Sequence, residues 1–304
     1  MKTFRTPLRL SFAGGSTDLP SSLGIYNTGQ VVSASLDLYT YCTIIPINTH
    51  LSGKKFLYCV LDKKVGLYQN ISEIKNNIVR ECFRFFNVPS CKIWVTSDIQ
   101  STGSGLASSS SITISVIKAI NNFLGLRLSA EQIASFATKI EKLINPLVGY
   151  QDIYGCSIGG IKKIKFNTKG YARHSLIDAT FLTKQFNFFL IPTNISRSST
   201  RILETLDHSF TPQLLDLAED CFQSIKTHDR TRFINNIKEG WALKQKTSNS
   251  ILGCHKLSSK NDFFWKSEKI LAHRLIGAGG GGYFLAITDS KIKLKNCKEI
   301  NFSL

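Results

Sequence analysis

Acidic side chains are scarce in this chain: 21 Asp and Glu stand against 38 Lys and Arg in 304 residues, a formal charge of +17. An excess of that size invites a nucleic-acid or membrane surface. Yet no basic run of five or more occurs, and the lysines fall singly or in pairs such as Lys54-Lys55, Lys63-Lys64 and Lys162-Lys163. RNP, zinc-finger and bZIP patterns are missing too. The charge therefore reads as a lysine-rich background plus a phosphorylated ligand, with neither nucleic acid nor membrane expected as a partner. The eight cysteines include no CxxC pair. Residues 1–10 are too broken by charge and proline for a secretory signal, so reduced thiols in a cytoplasmic protein are expected. No apolar stretch approaches the roughly 20 residues that span a bilayer. With 42% hydrophobic residues the chain can bury a sizeable core, which excludes disorder.

Alternating stretches dominate the first sixty residues and read as strands: FRTPLRLSFAG, QVVSASLDLYTYCTIIPI and KKFLYCVLD. A helix is expected from Ile71 to Phe86 and a strand over 91–99. Ile112, Val116, Ala119, Ile120 and Phe123 then recur at helical spacing. Ser129 and Gln132 form a capping-box pattern ahead of another apolar face, which Asn145-Pro146 ends. Strands are expected at 160–166 and 186–192, and helices at 211–227, 230–246 and 261–275. There is no internal repeat and no low-complexity linker, and the change from strand-rich to helix-rich places a boundary near 183.

Three stretches concentrate small residues: PLRLSFAGGSTDLP (7–20), TGSGLASSSS (102–111) and GAGGGG (277–282). Each alone fits a tight turn; three in one chain suggest that a polar ligand meets bare backbone in several places. None is a Walker loop or a Rossmann fingerprint. The second opens a helix, whose N–H groups and positive end suit polyphosphate. A hydroxyl among Ser108 to Ser111 suits magnesium, which takes hard oxygen ligands. Phosphoryl transfer also needs an acid near the metal and a group that orients or deprotonates the accepting hydroxyl. Glu141, on the capped helix among inward positions, and Asp152 meet those needs, although spacing alone leaves a surface charge and a turn acid equally open.

The order TPLRLSFAGGSTD, GSGLASSSS, IEKLINPLVGYQDIYG and LIGAGGGGYFL resembles the motifs of the GHMP kinases, the superfamily of galactokinase, homoserine, mevalonate and phosphomevalonate kinases. The resemblance runs from about residue 3 to residue 288. The RTPLR opening, the QD-Y segment and NISRSSTRILE (194–204) look most like the D-glycero-D-manno-heptose 7-phosphate kinases. The resemblance implies an α+β, two-lobed fold: a ribosomal-S5-domain-2-like lobe over 1–183 and a ferredoxin-like lobe over 184–304. It implies that Gly103, Ser104, Gly105, Leu106, Ala107, Ser108 and Ser109 wrap the phosphates of ATP. Ser109 and Glu141 would hold Mg2+, Asp152 would take the substrate proton, and Arg9 would face both the base and the transferring phosphate. Asp18, Gly14 and Gly15 would grip sugar hydroxyls, and glycines 279 to 282, with Gly280 and Gly281 foremost, would close over the acceptor. Arg197 and Ser198 are added here as contacts to a substrate phosphate, which an arginine matches in geometry.

The implied reaction is ATP-dependent phosphorylation of the anomeric hydroxyl of a sugar phosphate, D-glycero-D-manno-heptose 7-phosphate first, giving the 1,7-bisphosphate. The alternatives are another small-molecule kinase of galactose, fucose or mevalonate type, and a catalytically silent ligand-binding sensor. The chain departs from the family pattern at Ala107, where a glycine is usual; a methyl there is expected to require φ below zero. Tyr150 replaces a lysine beside the base, and Ala272-His273 replaces a glycine pair.

Overall fold

The computed structural model describes residues 1–47, 57–61, 64–99, 103–170, 172–195, 202–248, 269–295 and 297–303. Arg197 and Ser198 lie outside the described residues. Strand β1 (Thr3–Ala13) shows how period-2 alternation sorts the chain. Leu8, Leu10 and Phe12 are fully buried in an apolar core, while Arg9 and Ser11 line a cavity. β1 pairs antiparallel with β2 (Thr28–Pro46), with register shifts between Pro7 and Arg9 and between Ser11 and Ala13. Pro7 has no N–H to give to a ladder, and irregularities of this kind re-aim side chains.

β2 is the spine of a seven-stranded sheet. Its first part pairs with β6 (Ile161–Asn167) and its last part with β5 (Cys91–Ser97), both antiparallel. β3 (Leu57–Leu61) adds parallel to β5, and β4 (Lys64–Tyr68) forms one edge; β7 (Ala172–Ile177) forms the other. One face carries helices α2 (Asn77–Phe86), α3 (Ser108–Leu124) and α4 (Ala130–Ile144), with α5 (Gln151–Ser157) against β1. Short helices α1 (Pro20–Tyr26) and α6 (Thr180–Gln185) fill connections. The second sheet is antiparallel in the order β11 (Lys298–Ile300), β8 (Phe186–Pro192), β10 (Tyr283–Asp289), β9 (Ile270–Leu275). Helices α7 (Thr211–Lys226) and α8 (Arg230–Lys246) pack on each other, α7 touching β1 and β2 and α8 touching β9.

One core joins the two sheets: Leu8, Leu10 and Phe12 of β1 with Phe186 and Phe188 of β8, Phe233 of α8 and Phe302. Phe12 meets Phe233 and Phe302 edge-on, with centroids 5.5 and 5.9 Å away. A second core lies between β2, β3 and β5 and helices α2 to α4.

Two expected helices are corrected. The span 71–86 divides into a 3-10 turn, Ile71–Glu73, and helix α2, because two asparagines compete as caps. Asn70 forms a capping box with Glu73, and Asn76 accepts from the Val79 N–H at 3.0 Å, restarting the chain. The segment 270–275, expected at the end of a helix, is strand β9, pairing along β10 from Leu275–Phe284 to Ile270–Thr288. A six-residue run with four apolar residues fits either structure, and the free edge of β10 decided it. Residues 261–268 of that expected helix lie outside the described residues. Strands β4 and β7 went unread because both are sheet edges with half-exposed, weakly alternating side chains.

Candidate active site

The serine run divides into four separate jobs. Ser108 Oγ is 2.7 Å from Ser104 Oγ, and Ser104 also accepts from the Leu106 N–H, so the loop closes on itself. Ser110 donates to Glu141 Oε2 at 2.9 Å. Ser111 donates to the Thr6 carbonyl at 2.9 Å and lies 2.7 Å from Thr40 Oγ1, seating α3 on β1 and β2. Ser109 alone of the four is exposed, on the wall of the cavity.

Gly103, Gly105 and Ala107 ahead of α3 have φ of 72°, 79° and 59°. Ala107 thus overturns the expectation of a negative φ. It is the N-cap residue of α3 and takes a left-handed turn there, so the chain can pass from the loop into the helix. The methyl is tolerated because it is buried in the core behind the loop. The third glycine loop packs on the second: a Cβ on Gly282 would sit 2.5 Å from the Ser104 carbonyl oxygen.

The cavity holds about 420 Å³ and draws on both halves of the chain. Arg9, Ser11, Gly15, Asp18, Gly103, Ser104, Gly105, Ala107, Ser108, Ser109, Glu141, Gln151 and Asp152 line it, with Lys244 and Gly277 opposite. Among the described residues that line it, Gly14, Leu106, Gly280 and Gly281 do not appear. Leu106 is in the core. A Cβ on Gly14 would lie 2.0 Å from the Gln30 carbonyl oxygen, and one on Gly281 2.5 Å from that of Ile195. These glycines allow close backbone packing around the cavity.

Arg9 is the hub. Buried to 3% exposure, it donates from NH2 and Nε to Asp152 Oδ1 at 2.5 and 3.1 Å and from NH1 to the Gly105 carbonyl at 2.8 Å. Burial works against its charge, but the Asp152 carboxylate outweighs that and holds the guanidinium above its ordinary pKa. α5, which carries Asp152, is fixed from its other end by Lys162. That fully buried ammonium donates to Ser35 Oγ at 2.6 Å, to the Gly155 and Gly160 carbonyls at 2.9 and 3.2 Å, and to the Ile158 carbonyl. Burial lowers its pKa to about 7.

Glu141 is buried, and burial raises its pKa to about 8, against the stabilising hydroxyls of Ser110 and Thr113. Such a carboxyl gains its charge readily when a cation arrives beside it. Thr113 was missed by the sequence reading, and Ser110 entered it only as one of four hydroxyls suited to magnesium; their i,i+3 spacing on the α3 face toward α4 was the available signal. Lys244, which donates to the Gly277 carbonyl, and Gln151 were missed as well. Neither belongs to a glycine loop, and only the fold brings Lys244 near residue 103. Asp18 is fully buried, and burial raises its pKa to about 6. Tyr150, standing where a lysine was expected, receives a hydrogen bond from Lys142, whose Nζ lies 4.0 Å from the ring centroid. Ala272 and His273, in place of the glycine pair, are ladder residues of β9.

Known proteins share parts of this sequence and its fold. Residues 73–160 match the family described as GHMP kinases N terminal domain. A D-glycero-alpha-D-manno-heptose 7-phosphate kinase of Campylobacter jejuni is 34% identical over 223 residues, covering 67% of this chain and 63% of the relative. The chain spans less than two thirds of the length of the curated relatives it matches. A D-glycero-D-manno-heptose 1-phosphate kinase of Bacteroides thetaiotaomicron superposes with a TM-score of 0.75 at 19% identity, over 99% of this chain and 96% of that one. Lactococcus lactis galactokinase superposes with a TM-score of 0.74 at 15% identity, over 95% and 86%. With the family's N-terminal domain in its sequence and the family's two-sheet fold throughout, the chain belongs to the GHMP kinases.

Proposed function

We propose that this chain is an ATP-dependent sugar kinase acting on the anomeric hydroxyl of a sugar phosphate, D-glycero-D-manno-heptose 7-phosphate first, to give the 1,7-bisphosphate. One observation carries the reading: a single buried guanidinium bonds both the Asp152 carboxylate and the Gly105 carbonyl of the glycine loop. It sets a proton acceptor beside a loop suited to phosphates, in one cavity. The name of the C. jejuni relative supports the choice of sugar. The two sheets, one ending at Ile177 and one starting at Phe186, support lobes over 1–183 and 184–304.

The loop fits a nucleotide's phosphates: its left-handed glycines leave bare backbone at the start of a 17-residue helix. The donor set also fits magnesium, since the Ser109 hydroxyl and the Glu141 carboxyl are hard oxygens on the same cavity wall and would hold the ion. When bound, magnesium supplies neutralisation of phosphate charge. The sugar hydroxyl attacks the terminal phosphorus of ATP, its proton passes to Asp152, and ADP leaves. Arg9, bonded to Asp152 Oδ1, orients that carboxylate toward the hydroxyl and adds positive charge beside the phosphoryl group.

The test is ATP consumption with magnesium over free sugars, hexose 6-phosphates and D-glycero-D-manno-heptose 7-phosphate. Turnover confined to the heptose phosphate is expected. Turnover on another alcohol discards the substrate, and ADP binding without any turnover discards the kinase. Asp152→Asn should lower kcat by roughly 10²–10⁴-fold while ADP affinity stays within a few fold, because a general base acts in transfer and not in nucleotide binding.

A further inference from the structure

Asp18 spends both carboxylate oxygens on one residue. Oδ2 accepts from the Gln151 backbone N–H at 2.8 Å, and Oδ1 accepts from Gln151 Nε2 at 3.0 Å. An ionised carboxylate only accepts, so this pairing fixes which end of the amide is which. Nε2 faces Asp18, and Oε1 is turned the other way. One glycine makes the arrangement possible. A Cβ on Gly149 would sit 2.1 Å from Asp18 Oδ2, so only a glycine lets the carboxylate reach the start of α5. A Cβ on Gly15 would stand 3.8 Å from Gln151 Oε1, an ordinary van der Waals contact, which places the Gly15 backbone beside the amide.

Gln151 Oε1 is buried and has no hydrogen-bond partner. Among the described residues, four other buried side-chain atoms share that condition, on Ser97, Ser157, Asn236 and Arg274, and none of those residues lines the cavity. Gln151 does line it, next in sequence to Asp152. An acceptor stripped of water and given no donor is unfavourable as it stands and becomes favourable once a ligand brings a donor. The fold holds Gln151 in that condition with two hydrogen bonds to Asp18 and the glycine at 149 that admits them.

We propose that Gln151 is a specificity-determining residue: its Oε1 accepts a hydrogen bond from the substrate hydroxyl adjacent to the one addressed by Asp152. Asp18 is then a positioning residue that acts through Gln151, in place of the direct grip on sugar hydroxyls expected from the sequence. The inference rests on Asp152 as the group facing the reacting hydroxyl. In an aldose phosphorylated at its anomeric oxygen, one neighbour is the ring oxygen, which has no proton to give. The other is the C2 hydroxyl, which has one. An acceptor at this place selects sugars that carry a hydroxyl at C2.

The experiment compares D-glycero-D-manno-heptose 7-phosphate with its 2-deoxy analogue, measuring affinity by calorimetry in the presence of ADP and, separately, kcat and KM. The wild type is expected to prefer the parent by about tenfold, the worth of one hydrogen bond of about 1.4 kcal/mol. Gln151→Met, of similar length but without the amide, should raise KM for the parent about tenfold. Its kcat should stay within about threefold, and its preference over the analogue should vanish. Asp18→Asn should reduce that preference too, because a neutral amide lets Gln151 turn over, and the double variant should lose no more than Gln151→Met alone. Equal affinity of the wild type for both sugars overturns the proposal without any variant, as does a preference that survives Gln151→Met. Discrimination without turnover leaves the inference standing and removes the kinase reading; turnover without discrimination does the reverse. Should the protein phosphorylate a different alcohol, the same comparison is made with the analogue of that alcohol lacking the adjacent hydroxyl.

Discussion

Ala107 shows how much one methyl decides at this site. A left-handed conformation costs a non-glycine residue about 1–2 kcal/mol. Glycine would relieve that, at about 0.5–1 kcal/mol of extra chain entropy and the loss of a methyl that is buried in the core worth about 0.8 kcal/mol. The contributions nearly cancel, so Ala107→Gly should leave stability within about 1 kcal/mol of the wild type. Ala107→Val should lose at least about 2 kcal/mol, because a β-branched residue adds overpacking to a conformation it resists. Urea denaturation of the two variants separates these outcomes, and a valine variant as stable as wild type would refute the strain. Asp18 gives the residue scale its pH dependence. Burial raises its pKa from 3.8 to about 6, so the folded state holds the proton more tightly than the unfolded chain. Its contribution is therefore complete below about pH 4 and is lost as pH rises through 6. Measured against the non-titrating Asp18→Asn, wild-type stability should fall by roughly 2 kcal/mol between pH 4 and 7. A flat difference would mean that the carboxyl is not desolvated.

At the scale of elements, α4 separates what holds a helix from what holds a site. Its N-terminus is closed by a capping box in which Ser129 Oγ accepts from the Gln132 N–H at 3.2 Å and Gln132 Oε1 accepts from the Ser129 N–H at 2.8 Å. Glu141 sits three turns further on, held by hydroxyls of α3. Ser129→Ala should therefore cost about 1 kcal/mol of stability and leave kcat/KM unchanged. A loss of activity beyond that of the fraction folded would show that the cap also sets Glu141. The same contrast explains what could be read in advance. The capped start of α4, the alternation of β1 and the periodicity of α3 are local and were legible. The break between the turn at 71–73 and α2 was not, since it depends on both Asn70 and Asn76 acting as caps where one helix with a single cap fits the pattern equally well. Strand β9 was not either, since its ladder partner β10 is needed to tell strand from helix.

At the scale of the molecule, the two sheets share one core through Phe12, whose ring meets Phe188, Phe233 and Phe302. Phe12→Ala should cost about 3–5 kcal/mol and lower the stability of both halves together. Trp94 lies on β5 of the first sheet and Trp241 packs against Phe284 of the second, so single-tryptophan variants report on each half. One common midpoint is expected from both probes; two midpoints would show that the halves unfold independently. The cavity also forms across this junction, with Arg9 and Asp152 on one side and Lys244 and Gly277 on the other.

The sequence by itself determined the class of most elements, the order of the glycine-rich loops and, through the resemblance its motifs carry, the identity of Arg9, Ser109, Glu141 and Asp152 as candidates. Periodicity, turn chemistry and motif order are properties of neighbouring residues and survive without a fold. Tertiary structure alone decided which serine meets Glu141, which hand Ala107 takes, and that Asp18 spends its carboxylate on Gln151. Each of those depends on a partner between about thirty and more than a hundred residues away, or on the room left beside a glycine, and buried polar groups take the partners that packing brings within reach.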